Sequence, residues 1–570
     1  MEDTDKKFCS ILFDILEQKG VRHVVCSPGS RNVPLLLAAA SRPFMKKHFV
    51  VDERSAGFVG LGISMVKQEP VALICTSGTA LLNYAPAVAE AYYQSIPLIV
   101  ISADRPIQWI DQDDSQTLRQ DEALKNYVKK SYSIPAIGDD DAEMQWFVNR
   151  VTNDAVMEAC GRRCGPVHIN IHLSEPLNLK KEKNNKPIRI INEFIGDSIA
   201  NKDIIKNLAK EIADSKIMLV AGFGLPDSYV QKAVSDLSRF PNISVMAETI
   251  SNLHLNENDY SIDSVLTAFP IEELDKLAPD IIITIGGSLI SRKLKEYLRR
   301  NKDKCHHWAV GYSHTTSDPF MSLSLKIEVE VSRFFKNISS ALRKLKIAET
   351  AVNYKLHWEE KRQHALSLKN KFVEKSGWSE LKAFSIILNA IPKDYNLFFS
   401  NGTPIRYAQI IKYKLPHASY CNRGVSGIDG SIASAIGASF VFKGETLLIT
   451  GDLSMAYDVG SLGIKDIPSR FKIIVIDNQG GGIFRFIPST SQLEEREEYL
   501  CQAPILPLQD LAQGYGFDYF EASDEKKLYE VLPKFFSSAQ KSILRIICDG
   551  EYSADVLKNY MNLNFTIGHN

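Results

Sequence analysis

The sequence predicts an α/β protein built from three parallel-sheet domains, and three observations predict it. Short β-branched runs alternate with helix-like segments along the chain, the runs are apolar throughout, and each ends in a turn rich in Gly, Ser or Asp. A strand that is apolar on both faces needs helices on both sides of its sheet, as in doubly wound folds. At 570 residues the chain is too long for one core, and its 45% hydrophobic content is enough for several.

The first block, residues 1–180, carries strand-plus-turn units at VRHVVCSPGSR (21–31), KKHFVVDERS (46–55), PVALICTSGT (70–79) and SIPLIVISADRP (95–106), and closes with GPVHINIHL (165–173). A polar linker at about 178–188, containing KKEKNNK, ends at Pro187. The second block, 188–335, holds SKIMLVAGFG, NISVMAE, DIIITIGGSL and KCHHWAVG. Residues 336–375, rich in Lys, Glu and Leu, read as helices and linker or as a short coiled interaction segment. The third block, 376–570, holds YNLFFSNG, ASYCNRG, ETLLITGD, FKIIVIDN and SILRIICDG.

A formal net charge of -1 gives no bulk electrostatic case for nucleic acid. Nine thinly spread cysteines fit a reducing compartment, and Cys160 and Cys164 lack the second pair that a zinc site needs. MEDTDKKFCS has no signal-peptide character and no stretch reaches 18 apolar residues, so a cytoplasmic protein without membrane insertion is expected.

Ligands of such sheets bind at the carboxyl ends of the strands. There LLIT delivers Asp452 and FKIIVID delivers Asn478, with 455–466 as the expected crossover helix. A carboxylate and an amide carbonyl are hard oxygen donors suited to magnesium, and the Gly480 carbonyl is a candidate third ligand. Gly480, Gly481 and Gly482 allow a close backbone approach, which fits a metal-bridged diphosphate. Neither the Walker loop nor the dinucleotide fingerprint is present. On spacing alone, GD and NQGG also read as ordinary turns. Gly78 and Thr79 open a helix after a strand and offer an anion backbone donors and a hydroxyl. Glu53, between HFVV and a helix-like run, is placed to hold or transfer a proton, or else caps the helix together with Asp52.

The span from Gly451-Asp452 to Asn478 resembles the diphosphate motif of the thiamin-diphosphate enzyme family. The resemblance extends in order through SPGSRNVPL, VDERSAGF, TSGTALLNYAPAVAEA, ISADRP, SQTLRQ, NRGVSGIDG, GDLS and NQGGGIF. These motifs are similar to the menaquinone-pathway branch, which decarboxylates 2-oxoglutarate and adds the remaining four-carbon unit to isochorismate in a conjugate, Stetter-like manner. The resemblance implies the fold of that family, with aminopyrimidine-binding, central and diphosphate-binding domains. It implies thiamin diphosphate with Mg2+, or Mn2+ in its place, and a homodimer or homotetramer whose sites are shared between subunits.

Glu53 corresponds to the glutamate that promotes the imino tautomer of the cofactor, and Asn401 to an asparagine near the reacting groups. Gly427, Ile428 (the wedge under the bent cofactor), Leu453, Ser454, Ile483 and Phe484 join Gly78, Thr79, Gly451, Asp452, Asn478, Gly480 and Gly481 around it. Ser30, Arg31, Arg105, Gln116, Arg406 and Arg423 resemble substrate contacts, and a planar guanidinium suits a carboxylate. Arg292 and Lys293 match a Lys-Arg pair in reversed order, and Phe484 and Ile487 are candidate packing for the acceptor ring. Another thiamin-diphosphate lyase, such as an acetohydroxyacid synthase, would keep Glu53, Asp452 and Asn478 without this anion-binding set. A non-catalytic nucleotide binder would rest on AGFG and IGGSL. The histidines have no triad or metal spacing.

Overall fold

The computed structural model describes residues 2–138, 140–182, 188–194, 201–255, 262–411 and 418–563. The chain divides into two compact units: residues 1–195, 424–446 and 457–471 form the first, and 196–423, 447–456 and 472–570 the second.

Each apolar run becomes a strand, and three sheets result. The first orders Lys46–Phe49, His23–Cys26, Val71–Cys75, Leu98–Asp104, Val167–His172 and Ser131–Ile134, with every pairing parallel. The central sheet orders Ile243–Ala247, Ile217–Ala221, Ile281–Ile285, His306–Val310 and Leu323–Ile327, again all parallel. The third orders Ala418–Cys421, Asn396–Phe399, Thr446–Gly451, Phe471–Asp477, Ser542–Ile547 and Asp518–Ala522, a parallel sheet with helices between its strands. Inner strands such as VALIC and IMLVA are buried at every position, because helices cover both faces.

Three strands of these parallel sheets went unread: Ser131–Ile134, Leu323–Ile327 and Asp518–Ala522. Each is an edge strand of its sheet, and each is only partly buried. One-sided burial removes the continuous apolar run that marks an inner strand. Within the expected linker, Lys180–Glu182 pairs antiparallel with Glu2–Thr4, while residues 183–187 lie outside the described residues. The 336–375 segment contains the end of the helix Val331–Leu342 and all of Tyr354–Lys375. Tyr354, Trp358 and Ala365 of the latter are buried in a core of the central sheet, so it is packed structure rather than a free coiled segment. The crossover expected at 455–466 is instead a short helix, Asp452–Tyr457, followed by a 3-10 turn, Val459–Gly463. Among the described residues no helix is long and apolar enough to cross a membrane.

Candidate active site

In the second unit, Thr446–Gly451 ends at Asp452, the first residue of its helix, and Phe471–Asp477 ends at Asn478. Asp452 is 5% exposed; its Oδ1 accepts from Leu453 N at 2.7 Å and its Oδ2 from Gly480 N at 2.7 Å. Burial pushes its carboxyl up to about 6, against the pull of these two amides. Asn478 donates Nδ2 to Glu380 Oε1 at 2.8 Å, and its Oδ1 is buried with no partner among the described residues. A buried amide oxygen left without a donor is expensive unless something else meets it. Beside an acidic neighbour, a hard cation fits that position.

The loop between them is held by Arg485, whose Nη1 donates to Asn478 O at 3.0 Å and to Gly480 O at 2.7 Å. The Gly480 carbonyl, expected as a metal ligand, is thus already engaged on one side; a carbonyl oxygen has two lone pairs. Gly480 and Gly481 have φ of +80° and +57°, and a Cβ on Gly480 would lie 2.5 Å from Gln502 O, so no side chain fits there. Gly451 N faces Ser400 Oγ at 3.3 Å, Ser454 is buried and Leu453 half-buried. Ile483 and Phe484 lie on the short helix Gly482–Phe486, and Ile487 follows it; all three are half-buried.

The same unit gathers cations. Asn401, at the carboxyl end of Asn396–Phe399, donates Nδ2 to Asn422 O at 2.6 Å, and its Oδ1 accepts from Arg423 Nη1 at 3.1 Å. Arg423 Nε is buried without a partner among the described residues. Burial, then the charge of Arg423, presses the Arg406 pKa down, which marks two guanidinium groups held close together. Arg292 and Lys293 diverge: Arg292 is exposed and pairs with Glu296 at 2.6 Å, while Lys293 Nζ turns inward to Thr267 Oγ1 at 3.0 Å and Met561 O at 3.2 Å. Of the two, only Arg292 presents its cation to solvent, because Asp263 and the Thr267 hydroxyl draw Lys293 inward.

Lys295, unread from the sequence, is half-buried and feels Glu248, Arg423 and Arg406. Fully buried Glu248 accepts from Ile290 N at 2.7 Å and Ser291 N at 2.8 Å, fixing the turn before the cation-bearing helix Arg292–Arg300. Burial lifts its pKa to about 7. Only helical phase, a lysine between Leu294 and Tyr297, hinted at Lys295.

In the first unit Glu53 is the first residue of the helix Glu53–Lys67 and is half-buried. Asp52 does the capping: its side chain accepts from Arg54 N at 2.9 Å and Ser55 N at 3.4 Å. Glu53 makes no side-chain hydrogen bond to a described residue, so the shared-cap reading is set aside. Gly78 has its N–H donated to buried Gln120 Oε1 at 2.8 Å, and Thr79 opens only a four-residue helix. The expected anion cradle is thus closed on the Gly78 side by a side chain that the sequence did not single out.

Gln120 continues through buried Asn170 to buried Asp104 and exposed Asp121, a polar network next to Arg105. Arg105 Nε binds Ser115 O at 3.0 Å and Asp114 at 3.2 Å, in the loop that carries exposed Gln116. Arg31 is buried, with Nη1 on Leu173 O at 3.1 Å and Nη2 beside Glu175 at 3.2 Å, and neighbouring Ser30 is exposed. Gly427 and Ile428, the latter 38% exposed, stand in a loop stapled at both ends. Glu90 accepts from Gly424 N at 2.6 Å and Val425 N at 2.8 Å, and Asp458 accepts from Ile432 N at 2.9 Å and Ala433 N at 3.0 Å.

A family model described as thiamine pyrophosphate enzyme, N-terminal TPP binding domain, matches residues 6–124. The chain is 40% identical over 567 residues to the 2-succinyl-5-enolpyruvyl-6-hydroxy-3-cyclohexene-1-carboxylate synthase of Porphyromonas gingivalis, covering 98% of this chain and 97% of that protein. It is 36% identical over 554 residues to the synthase of the same name from Flavobacterium johnsoniae, covering 96% and 97%. With that from Cytophaga hutchinsonii it shares 35% over 562 residues, again covering 96% and 97%.

Proposed function

The chain belongs to the 2-succinyl-5-enolpyruvyl-6-hydroxy-3-cyclohexene-1-carboxylate synthase family of thiamin-diphosphate enzymes, and from that premise we propose that it acts on 2-oxoglutarate and isochorismate in menaquinone biosynthesis. In this reading 2-oxoglutarate loses its C1 carboxyl as carbon dioxide. The carbon left behind bonds to the isochorismate ring, giving the succinylated cyclohexene carboxylate. When bound, thiamin diphosphate supplies the electron sink for decarboxylation.

The chain's own residues divide the remaining work. Asp452, Asn478 and the Gly480 carbonyl would hold Mg2+ or Mn2+ against the diphosphate; the buried Asn478 Oδ1, without a partner among the described residues, supports this. Glu53, relieved of capping by Asp52, holds or moves the proton on the aminopyrimidine side. Arg406, Arg423 and Asn401 bind carboxylates, with Arg292, Ser30, Arg31, Arg105 and Gln116 as further substrate contacts, while Lys293, its ammonium on Thr267 and Met561 O, anchors the helix that carries Arg292. Ile428 is the wedge, and Phe484 and Ile487 exclude water from the acceptor. The functional division is 1–180, 188–335, 336–375 and 376–570, with each of the three parallel sheets inside one of the three larger segments. The enzyme works in the cytoplasm as a homodimer or homotetramer, each site drawing the Glu53 half and the Asp452 half from different copies.

The observation that carries the reading is the cation set beside Asn401, in the same unit as the Asp452–Asn478 loop. A lyase acting on monocarboxylates has no use for two guanidinium groups that repel one another. The test is mass-resolved product analysis with thiamin diphosphate, Mg2+ and 2-oxoglutarate, with and without isochorismate. Carbon dioxide together with the succinylated product supports it; 2-oxoglutarate consumed with isochorismate untouched removes the acceptor, and no consumption removes the donor as well.

A further inference from the structure

Glu380 opens the helix Glu380–Ala390 and is 2% exposed. Its Oε1 accepts from Asn478 Nδ2 at 2.8 Å and its Oε2 from Thr403 Oγ1 at 2.9 Å, while its backbone N–H donates to Ser553 Oγ at 3.1 Å. A buried carboxylate is costly, and packing alone would be served by an apolar residue of similar volume. The cost has a geometric return. Both Glu380 oxygens accept in this arrangement, Oε1 from Asn478 and Oε2 from Thr403, so the group of Asn478 that faces Oε1 is its NH2. The amide is planar, so its oxygen then points away from Glu380, and this is the buried atom that has no partner among the described residues. The second carboxylate oxygen ties the same group to Thr403, the first residue of the helix that begins after Asn401 and Gly402.

We propose that Glu380 is a positioning residue that locks the Asn478 amide with its oxygen toward the bound cation and couples that ligand to the turn carrying Asn401. The inference rests on the metal-diphosphate reading above. Ligand-orienting partners of this kind typically change metal affinity by about 10–100-fold when removed.

The test is Mn2+ binding in the presence of thiamin diphosphate, read from the electron paramagnetic resonance signal of free Mn2+, alongside the melting temperature of each unliganded variant. E380A should fold and bind Mn2+ about 10–100-fold more weakly. E380Q, whose carbonyl can still accept from Asn478 while its NH2 faces the Thr403 hydroxyl, should stay within about threefold of the parent. T403V, which cuts only the second hydrogen bond, should do the same. If E380A does not fold, E380M, of similar length and without an acceptor, takes its place and should show the same loss. Parent-like Mn2+ binding by E380A or E380M overturns the inference, as does a loss in E380Q equal to that in E380A, which would assign the effect to charge rather than orientation. Failure of the parent protein itself to bind Mn2+ would instead overturn the metal-diphosphate reading.

Discussion

At the scale of single residues, function turns on which polar groups are already occupied. Asp52 takes the helix-capping hydrogen bonds and so leaves the neighbouring carboxylate available. Changing Glu53 to Gln should leave thiamin diphosphate binding measurable but slow exchange of the thiazolium C2 proton by about 100-fold or more. Exchange by NMR at the parent rate would remove Glu53 from that role. The positions of Asp452 and Asn478 were legible because a strand end followed by a turn announces itself in sequence, and that of Glu53 because a capping aspartate before an apolar helical run does the same. Glu380, Gln120 and Glu90 were not, since nothing local separates a glutamate or glutamine that will be buried from one on a solvated face. Lys293 was read as a substrate cation, yet its ammonium is turned to Thr267 and Met561 O, partners 26 and 268 positions away.

At the scale of elements, the helix carrying Glu53 is located by contact of backbone with backbone. A Cβ on Gly62 would sit 1.9 Å from Ser434 O, and one on Gly437 would sit 2.1 Å from Val59 O, so the helices Glu53–Lys67 and Ser431–Val441 touch through their glycines. Alanine adds about 1 kcal/mol of helix propensity over glycine, but here it forces two backbones apart, which costs about 1–3 kcal/mol or more. G62A and G437A should therefore each lower the urea midpoint; a raised midpoint would show that the helices stand further apart.

The seam between His23–Cys26 and Lys46–Phe49 provides a pH-dependent element. His23 Nδ1 and His48 Nε2 lie 3.1 Å apart, and the His48 ring stacks on Phe440. Burial, reinforced for His23 by Lys46 and Lys67 and for His48 by His23 and Lys46, pushes His23 down to about 4 and His48 to about 3. Both folded pKa values lie below the ordinary 6.5. Their stabilisation is thus complete above that value and is lost as pH falls through the window toward about 4 and then 3. Urea midpoints at about pH 7.5 and about pH 5 should differ more for the parent than for an H23N/H48N double variant, and equal differences would assign the acid sensitivity elsewhere.

At the scale of the whole molecule, ligand binding should register as stability. Thiamin diphosphate with Mg2+ at about 100 times its Kd adds about 2.7 kcal/mol to a state that binds it, a shift of several degrees in melting temperature. Chelation should abolish the shift, and D452A should not show it; an undiminished shift in D452A would count against the metal assignment. The fold class was legible because inner parallel strands are apolar on both faces, and that pattern survives without any knowledge of neighbours. The edge strands SYSI, LSLKI and DYFEA were missed because one-sided burial leaves them mixed in polarity.

Local periodicity and turn chemistry were enough to place the three α/β blocks, Asp452 and Asn478 at strand ends, Glu53 at a helix start, and the arginines in or just after post-strand loops. Tertiary structure alone decided that Gln120 closes the Gly78 amide, that Lys293 turns away from Arg292, and that Glu380 holds Asn478. Those outcomes depend on which buried donor meets which buried acceptor across tens to hundreds of residues. A buried polar group takes the partner that packing brings within reach, and no local pattern records that choice.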